Sequence, residues 1–184
     1  MKPFAPILAA LGIVFVSAAG APAQSPVAPA TQSADALPTE DFVRMVAIGD
    51  MFEIQSSKMA VDKARDETVK RFARMMIEAH QKTSAELKST VEAAQIKAQI
   101  PSTLDQAHKL KLDQLRSAAG DRFDATYGAM QVEAHQQAIT VFENYARAGA
   151  DAKLKEWAEA TLPTLKQHLE EASKLRREAQ PSRS

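Results

Sequence analysis

The chain contains no cysteine, so any chemical site must use histidine, glutamate, aspartate, methionine or hydroxyl side chains. Thiolate zinc sites, disulfides and cysteine nucleophiles are therefore excluded. Glu53, His80, His135 and His168 each interrupt an apolar stripe of helical spacing, so their side chains should face inward. Three imidazoles and one carboxylate form a nitrogen and oxygen ligand set that suits zinc, copper or iron. The sequence predicts a transition metal ion, or another small ligand, at this cluster.

A structural interpretation of the same residues stays open. A buried carboxylate or imidazole is costly without a partner, so the four groups could instead satisfy one another in a hydrogen-bonded core. The protein would then be a non-catalytic structural or protein-interaction module of the cell envelope. Met76 lies one turn before His80 and is an additional candidate ligand, since thioethers favour Cu(I). Methionine in an apolar stripe is otherwise a gap-filling core residue.

An enzyme is the least favoured of the three function classes. Di-iron bundles place Glu-x-x-His motifs on facing helices, but Ile77 lies three residues before His80 and Val132 three before His135. No recognisable arrangement of a nucleophile and its base occurs either. We therefore predict a binding protein that is not an enzyme.

The charge balance argues against a nucleic-acid partner. The chain has 23 Lys and Arg against 23 Asp and Glu, which gives a formal net charge of zero. Binding to phosphates requires a basic face. We therefore predict no nucleic-acid partner, and the predicted binding partner is a metal ion.

Helices must position the candidate residues. From Thr39 onward, apolar residues recur at steps of three and four, with strong helix formers between them. Tight turns at 64–66 and 149–151 join two pairs of long helices, and a longer connection between the pairs contains a short helix. The predicted N-caps of the five helices are Thr39, Asp66, Thr103, Asp121 and Asp151. This pattern predicts an all-α, ferritin-like four-helix bundle with a long crossover containing a short fifth helix. An open up-and-down bundle is the alternative.

Distances counted from the two turns place the candidate residues at one level. Glu53 and His80 lie roughly 16 and 21 Å from the first turn, at about 1.5 Å per residue. His135 and His168 lie roughly 21 and 25 Å from the second turn on the same scale. The four side chains are therefore predicted to meet at mid-bundle.

The N-terminal segment has the features of a secretory signal peptide. Lys2 supplies a positive charge, an apolar stretch follows, and Ala21-Pro22-Ala23 fits a cleavage site. The apolar stretch is too short to span a bilayer, and no transmembrane segment is expected after cleavage. We expect a periplasmic or secreted protein, cleaved near Ala23. The predicted organisation is a signal peptide at 1–23, a disordered leader at 24–38, the bundle at 39–178 and a tail at 179–184.

A series of short motifs extends from Phe42 to about Leu175. It includes Phe42-Val43-Arg44, Phe72-Ala73-Arg74-Met75-Met76, Gln131-Val132 and Leu162-Pro163-Thr164-Leu165. Their order resembles the exported bacterial proteins grouped as domain of unknown function 4142, often labelled predicted outer membrane proteins. The resemblance implies export, a ferritin-like fold, and a family pattern that includes the positions of the three inward histidines and Glu53.

Overall fold

The computed structural model describes residues 36–178, which form five helices and no strand. The helices are α1 (Thr39–Lys63), α2 (Glu67–Ala93), α3 (Gln106–Ser117), α4 (Asp121–Ala148) and α5 (Ala152–Glu178). The predicted all-α fold is confirmed. None of the helices in this part of the chain is long and apolar enough to cross a membrane. The predicted signal peptide, the tail and all but the last three residues of the leader lie outside the described residues.

Hydrogen bonds at the two ends of the bundle fix the direction of α4 against α1. At one end, the backbone N–H of Asp66, in the turn after α1, donates to the Asp124 carboxylate in the first turn of α4, at 2.9 Å. At the other end, the Thr39 hydroxyl lies 2.8 Å from the Tyr145 hydroxyl, which joins the start of α1 to the end of α4. The two helices are therefore antiparallel.

The connection between the α1–α2 pair and the α4–α5 pair runs the length of the bundle. Lys153 at the start of α5 donates to the Ala93 carbonyl at the end of α2, at 2.7 Å. The end of α2 and the turn between α4 and α5 thus share one end of the bundle, whereas α4 begins at the other. Residues 94–120, which include α3, return the chain between these ends. This is the predicted crossover arrangement.

Two predicted N-caps are confirmed. The Asp66 carboxylate accepts a hydrogen bond from the Thr68 N–H at 2.6 Å, and the Asp151 carboxylate accepts one from the Leu154 N–H at 2.9 Å. Each carboxylate satisfies an amide that has no partner within its helix.

The predicted caps of α1 and α4 are wrong. Thr39 is already the first residue of α1, and its hydroxyl bonds to Tyr145 rather than to an amide of its own helix. Asp121 is likewise the first residue of α4, and Gly120 occupies the N-cap position of that helix. The φ of 59° at Gly120 is the reason for glycine there, since other residues rarely adopt that conformation.

The start of α3 was also predicted too early. Asp105, not Thr103, caps this helix, and its carboxylate accepts a hydrogen bond from the backbone N–H of His108 at 2.9 Å. The same carboxylate oxygen lies 2.7 Å from Nδ1 of the His108 ring. A carboxylate that binds both donors is a stronger cap than the hydroxyl two residues earlier.

The buried apolar residues form two clusters, one on each side of a polar layer. The first cluster includes Phe52, Phe72, Met76, Leu115, Phe123 and Tyr127. The second includes Phe42, Leu87, Phe142, Tyr145, Leu154 and Leu165. Along α2, α4 and α5, one buried histidine lies between the members of the two clusters. The polar layer therefore divides the core near the middle of the bundle.

Candidate metal centre

Three imidazoles from three helices meet in the polar layer. His80 of α2, His135 of α4 and His168 of α5 are 5%, 1% and 6% exposed, and their ring centroids lie 5.4–6.0 Å apart. One ligand nitrogen from each ring lies within 4.8 Å of the other two. Two nitrogens bound to one tetrahedral zinc ion at about 2.1 Å lie about 3.4 Å apart. Coordination therefore requires the ring nitrogens to approach one another by up to about 1.4 Å, which a movement of less than about 1 Å by each side chain supplies.

Each histidine of the cluster has a ring nitrogen without a hydrogen-bond partner. These atoms are Nε2 of His80, Nε2 of His135 and Nδ1 of His168, and all three are buried. The opposite nitrogen of His135 donates to the Gln131 carbonyl at 2.8 Å, which leaves its Nε2 as an acceptor. A fixed N–H on one side and a free lone pair on the other is the usual state of a metal-binding imidazole.

Asp50, which was not among the residues predicted from the sequence, orients the imidazole of His80. Its Oδ1 accepts a hydrogen bond from Nδ1 of His80 at 2.8 Å, and its Oδ2 accepts one from the Ser84 hydroxyl at 3.0 Å. The carboxylate is buried, with 4% exposure. A signal was present, because Asp50 lies three residues before Glu53 and therefore on the same face of α1.

The protonation equilibria of the three imidazoles differ. Burial and the nearby charge of His80 lower the pKa of His135 to about 3 and the pKa of His168 to about 4. For His80, burial also acts to lower the pKa, but the hydrogen bond to Asp50 and the charge of Glu53 raise it above its ordinary value. His135 and His168 are therefore neutral at neutral pH, which is the form that binds metals.

Glu53 lies beside the three imidazoles. It is 3% exposed, and neither carboxylate oxygen has a hydrogen-bond partner. Its Oε1 lies 3.9 Å from Nδ1 of His135, a separation too long for a hydrogen bond. Burial raises the pKa of Glu53 to about 7. Among the described residues, the group whose ligand atoms lie within 4.8 Å of one another consists of the three histidines, without Glu53.

Met76 and His108 lie in different surroundings. Met76 is fully buried in the first apolar cluster, where it packs as core, and its contribution as a ligand stays a prediction. His108, the fourth histidine, is on α3, with its ring packed edge-on against Phe52 at a centroid distance of 5.3 Å. His108 is not part of the three-imidazole group.

The family profile of domain of unknown function DUF4142 matches residues 22–175 of the chain. The chain belongs to the DUF4142 family. No curated protein matches this DUF4142 protein in sequence.

The solved structures that are similar to this DUF4142 protein include CopM and a DUF305 protein. CopM in its Cu(II)-bound form is 18% identical, with a TM-score of 0.65 over 78% of this chain and 98% of CopM. A DUF305 protein from Streptomyces coelicolor is 13% identical, with a TM-score of 0.64, and the match covers 80% of this chain and 94% of the DUF305 chain. At these identities, the likeness establishes a shared helical-bundle fold.

Proposed function

We propose that this protein is an exported helical-bundle protein that binds a transition metal ion through His80, His135 and His168. Two observations carry the proposal: one ligand nitrogen from each of the three histidines lies within 4.8 Å of the others, and each histidine has a buried ring nitrogen without a hydrogen-bond partner. Unpaired buried acceptors cost folding free energy, and an ion bound between them removes that cost. The signal-peptide features of the first 23 residues support export.

Charge compensation supports a divalent ion at this position. Three neutral imidazoles cannot offset the charge of such an ion inside a dry core, where an uncompensated charge is strongly unfavourable. Asp50 and Glu53 are buried carboxylates in the same layer. Asp50 acts through its hydrogen bond to His80, and Glu53 is the fourth member of the predicted ligand set.

Copper is the first ion to test. A site of nitrogen and oxygen ligands binds Cu(II) more tightly than the other divalent ions of the first transition row. CopM, which shares the fold, is known in a Cu(II)-bound form. Zn(II) and Fe(II) follow, because the same ligand types suit them. The absence of Glu-x-x-His pairs favours binding over di-iron redox catalysis.

The experiment is a titration of chelator-treated, untagged protein with Cu(II), Zn(II) and Fe(II), followed by thermal melting. An ion that binds the folded state alone should stabilise it by about 2.7 kcal/mol at a hundredfold excess over its dissociation constant. The double variant His80→Ala, His135→Ala should lose this shift, and His108→Ala should keep it. His108→Ala is the matched control, since it removes the histidine outside the cluster.

The same titration distinguishes the metal-binding protein from the structural alternative, in which the polar layer binds no ion. If no ion raises the melting temperature of the wild type more than that of the double variant, the metal proposal is wrong. The layer would then be the hydrogen-bonded core of a structural or interaction module. Elemental analysis of protein purified without a chelator identifies the ion bound in the cell.

A further inference from the structure

A cavity of about 270 Å³ connects the polar layer with the protein surface. Glu53, His80 and His135 line it together with Arg44 and His108. His80 and His135 are buried, whereas Arg44 is exposed and His108 is partly exposed. The apolar part of the wall includes Val46, Phe52, Ala138, Val141, Phe142 and Leu165. A mostly apolar cavity with a few polar groups is the usual form of a small-molecule site.

Glu53 is the carboxylate in this cavity that lacks a donor. Both oxygens of Asp50 already accept hydrogen bonds, from His80 and Ser84. Neither oxygen of Glu53 accepts one, although the side chain is 3% exposed. Nδ1 of His135 cannot supply the donor, because its proton bonds to the Gln131 carbonyl.

The Gln131 amide lies close enough to lower the pKa of Glu53, but its Nε2 donates to the Ser56 hydroxyl at 3.4 Å and neither oxygen of Glu53 accepts a hydrogen bond from it. Lys111 does not supply the donor either. Lys111 is close enough for its charge to lower the pKa of Glu53, but its ammonium group is paired with Glu133 at 2.9 Å. A buried carboxylate without a donor is strongly unfavourable. The cavity therefore presents an acceptor that a ligand could satisfy.

Gly49 leaves open space in the wall one turn before Glu53. A Cβ atom at Gly49 would meet no other atom within 4 Å. Packing therefore does not require glycine here, and glycine within a helix is less favourable than alanine. The position lies in the middle of α1 and has an ordinary helical backbone rather than a positive φ. A small residue at this position keeps the space beside the carboxylate free.

We infer that this cavity is a binding site for a small amine with an apolar body. The ammonium group donates hydrogen bonds to Glu53, and the hydrocarbon part contacts the apolar wall. Repulsion from Glu53 and Asp50 disfavours a carboxylate ligand. The volume lies just below the range of about 300–1,000 Å³ typical of pockets for drug-sized ligands, so the ligand is small. This inference goes beyond the metal site and does not require a bound ion.

The test compares three probes that share one hydrocarbon chain: n-hexylamine, hexan-1-ol and hexanoate. Each is titrated by calorimetry into the full-length purified protein in the presence of a chelator. Because a charge-assisted hydrogen bond is stronger than a neutral one, hexylamine should bind at least about tenfold more tightly than hexanol. Hexanoate should bind more weakly than either.

Two variants test the position of the site. Gly49→Leu should fill the cavity and abolish hexylamine binding, whereas Gly49→Ala, its matched control, should retain it. Glu53→Gln should reduce the affinity for hexylamine about tenfold and leave the affinity for hexanol unchanged. Circular dichroism establishes that each variant is folded, and Glu53→Gln serves as the test if Gly49→Leu does not fold.

Equal affinities for hexylamine and hexanol, or unchanged binding in Gly49→Leu, would overturn the inference. The cavity would then be a nonspecific apolar space or would not bind the probe. Since the chelator removes any ion, this outcome is independent of the metal titration. A failure of either proposal leaves the other intact.

Discussion

Replacing Glu53 with glutamine should stabilise the metal-free protein at alkaline pH. Burial raises the pKa of Glu53 from an ordinary 4.5 to about 7, and the side chain is 3% exposed. A carboxyl whose folded-state pKa is raised takes up protons on folding, so its ionisation opposes folding. Its unfavourable contribution begins near pH 4.5, grows as the pH rises and is complete above about pH 7.

The size of the effect follows from the difference between the two pKa values. A shift of one pKa unit corresponds to about 1.4 kcal/mol, so the unfavourable contribution of Glu53 reaches about 3 kcal/mol at pH 8. At pH 5 it is below about 1 kcal/mol, because the carboxyl is largely protonated in the folded state. Glu53→Gln removes this pH-dependent contribution and preserves the shape of the side chain.

Urea denaturation at pH 5 and pH 8, with a chelator present, measures the free energy of unfolding. Glu53→Gln should exceed the wild type by about 3 kcal/mol at pH 8 and by less than about 1 kcal/mol at pH 5. The control is Glu78→Gln on the exposed face of α2, which should remain within about 0.5 kcal/mol of the wild type at both values. A variant that is less stable than the wild type at pH 8 would show that Glu53 is paired in solution, and the reasoning would be wrong.

Three further predictions concern the metal centre and export. Asp50→Asn should weaken Cu(II) binding about 10–100-fold in a calorimetric titration, because the carboxylate orients His80; an unchanged affinity would remove Asp50 from the centre. Metal affinity should fall as the pH drops through the pKa of His80, which lies above its ordinary value of 6.5. The protonation of His80, whose pKa is raised, governs that loss, because the pKa values of His135 and His168 are lowered to about 3 and about 4. A metal affinity that does not change between pH 8 and pH 5 would contradict this prediction. The intact mass of the exported protein should begin at or near Gln24, and recovery of an uncleaved chain would refute the signal peptide.

The helices could be predicted from the sequence because their signals are local. The 3.6-residue period and caps such as Asp66 and Asp151 act within a few residues of where they occur. Thr39 and Thr103 failed as caps since a competing contact was stronger: Tyr145 in one case and the Asp105 carboxylate in the other. Asp121 also failed as a cap, because Gly120 occupies the N-cap position of α4. A capping residue type therefore predicts a helix start only to within one or two residues.

The level of the candidate site was predictable from helical rise, but its hydrogen bonds were not. Counting residues from the turns placed the histidines at mid-bundle without any knowledge of side-chain orientation. The pairing of Asp50 with His80 joins α1 to α2, so it depends on the rotation of each helix about its axis. Met45 shows the same limit: the apolar periodicity of α1 predicts that it faces inward, yet its side chain is 40% exposed at the cavity.

The distribution of unpaired polar atoms separates a binding layer from a purely structural one. Within residues 36–178, every buried side-chain atom without a hydrogen-bond partner belongs to Glu53, Gln131 or one of the three clustered histidines. A layer selected only for stability could pair these atoms, as Asp50 pairs with His80 and Ser84, or replace them with leucine at lower free energy. Natural proteins accept such unfavourable groups where function requires them. The unpaired atoms are concentrated where an ion and a small ligand are proposed to bind, so the stability lost in the free protein should be recovered on binding.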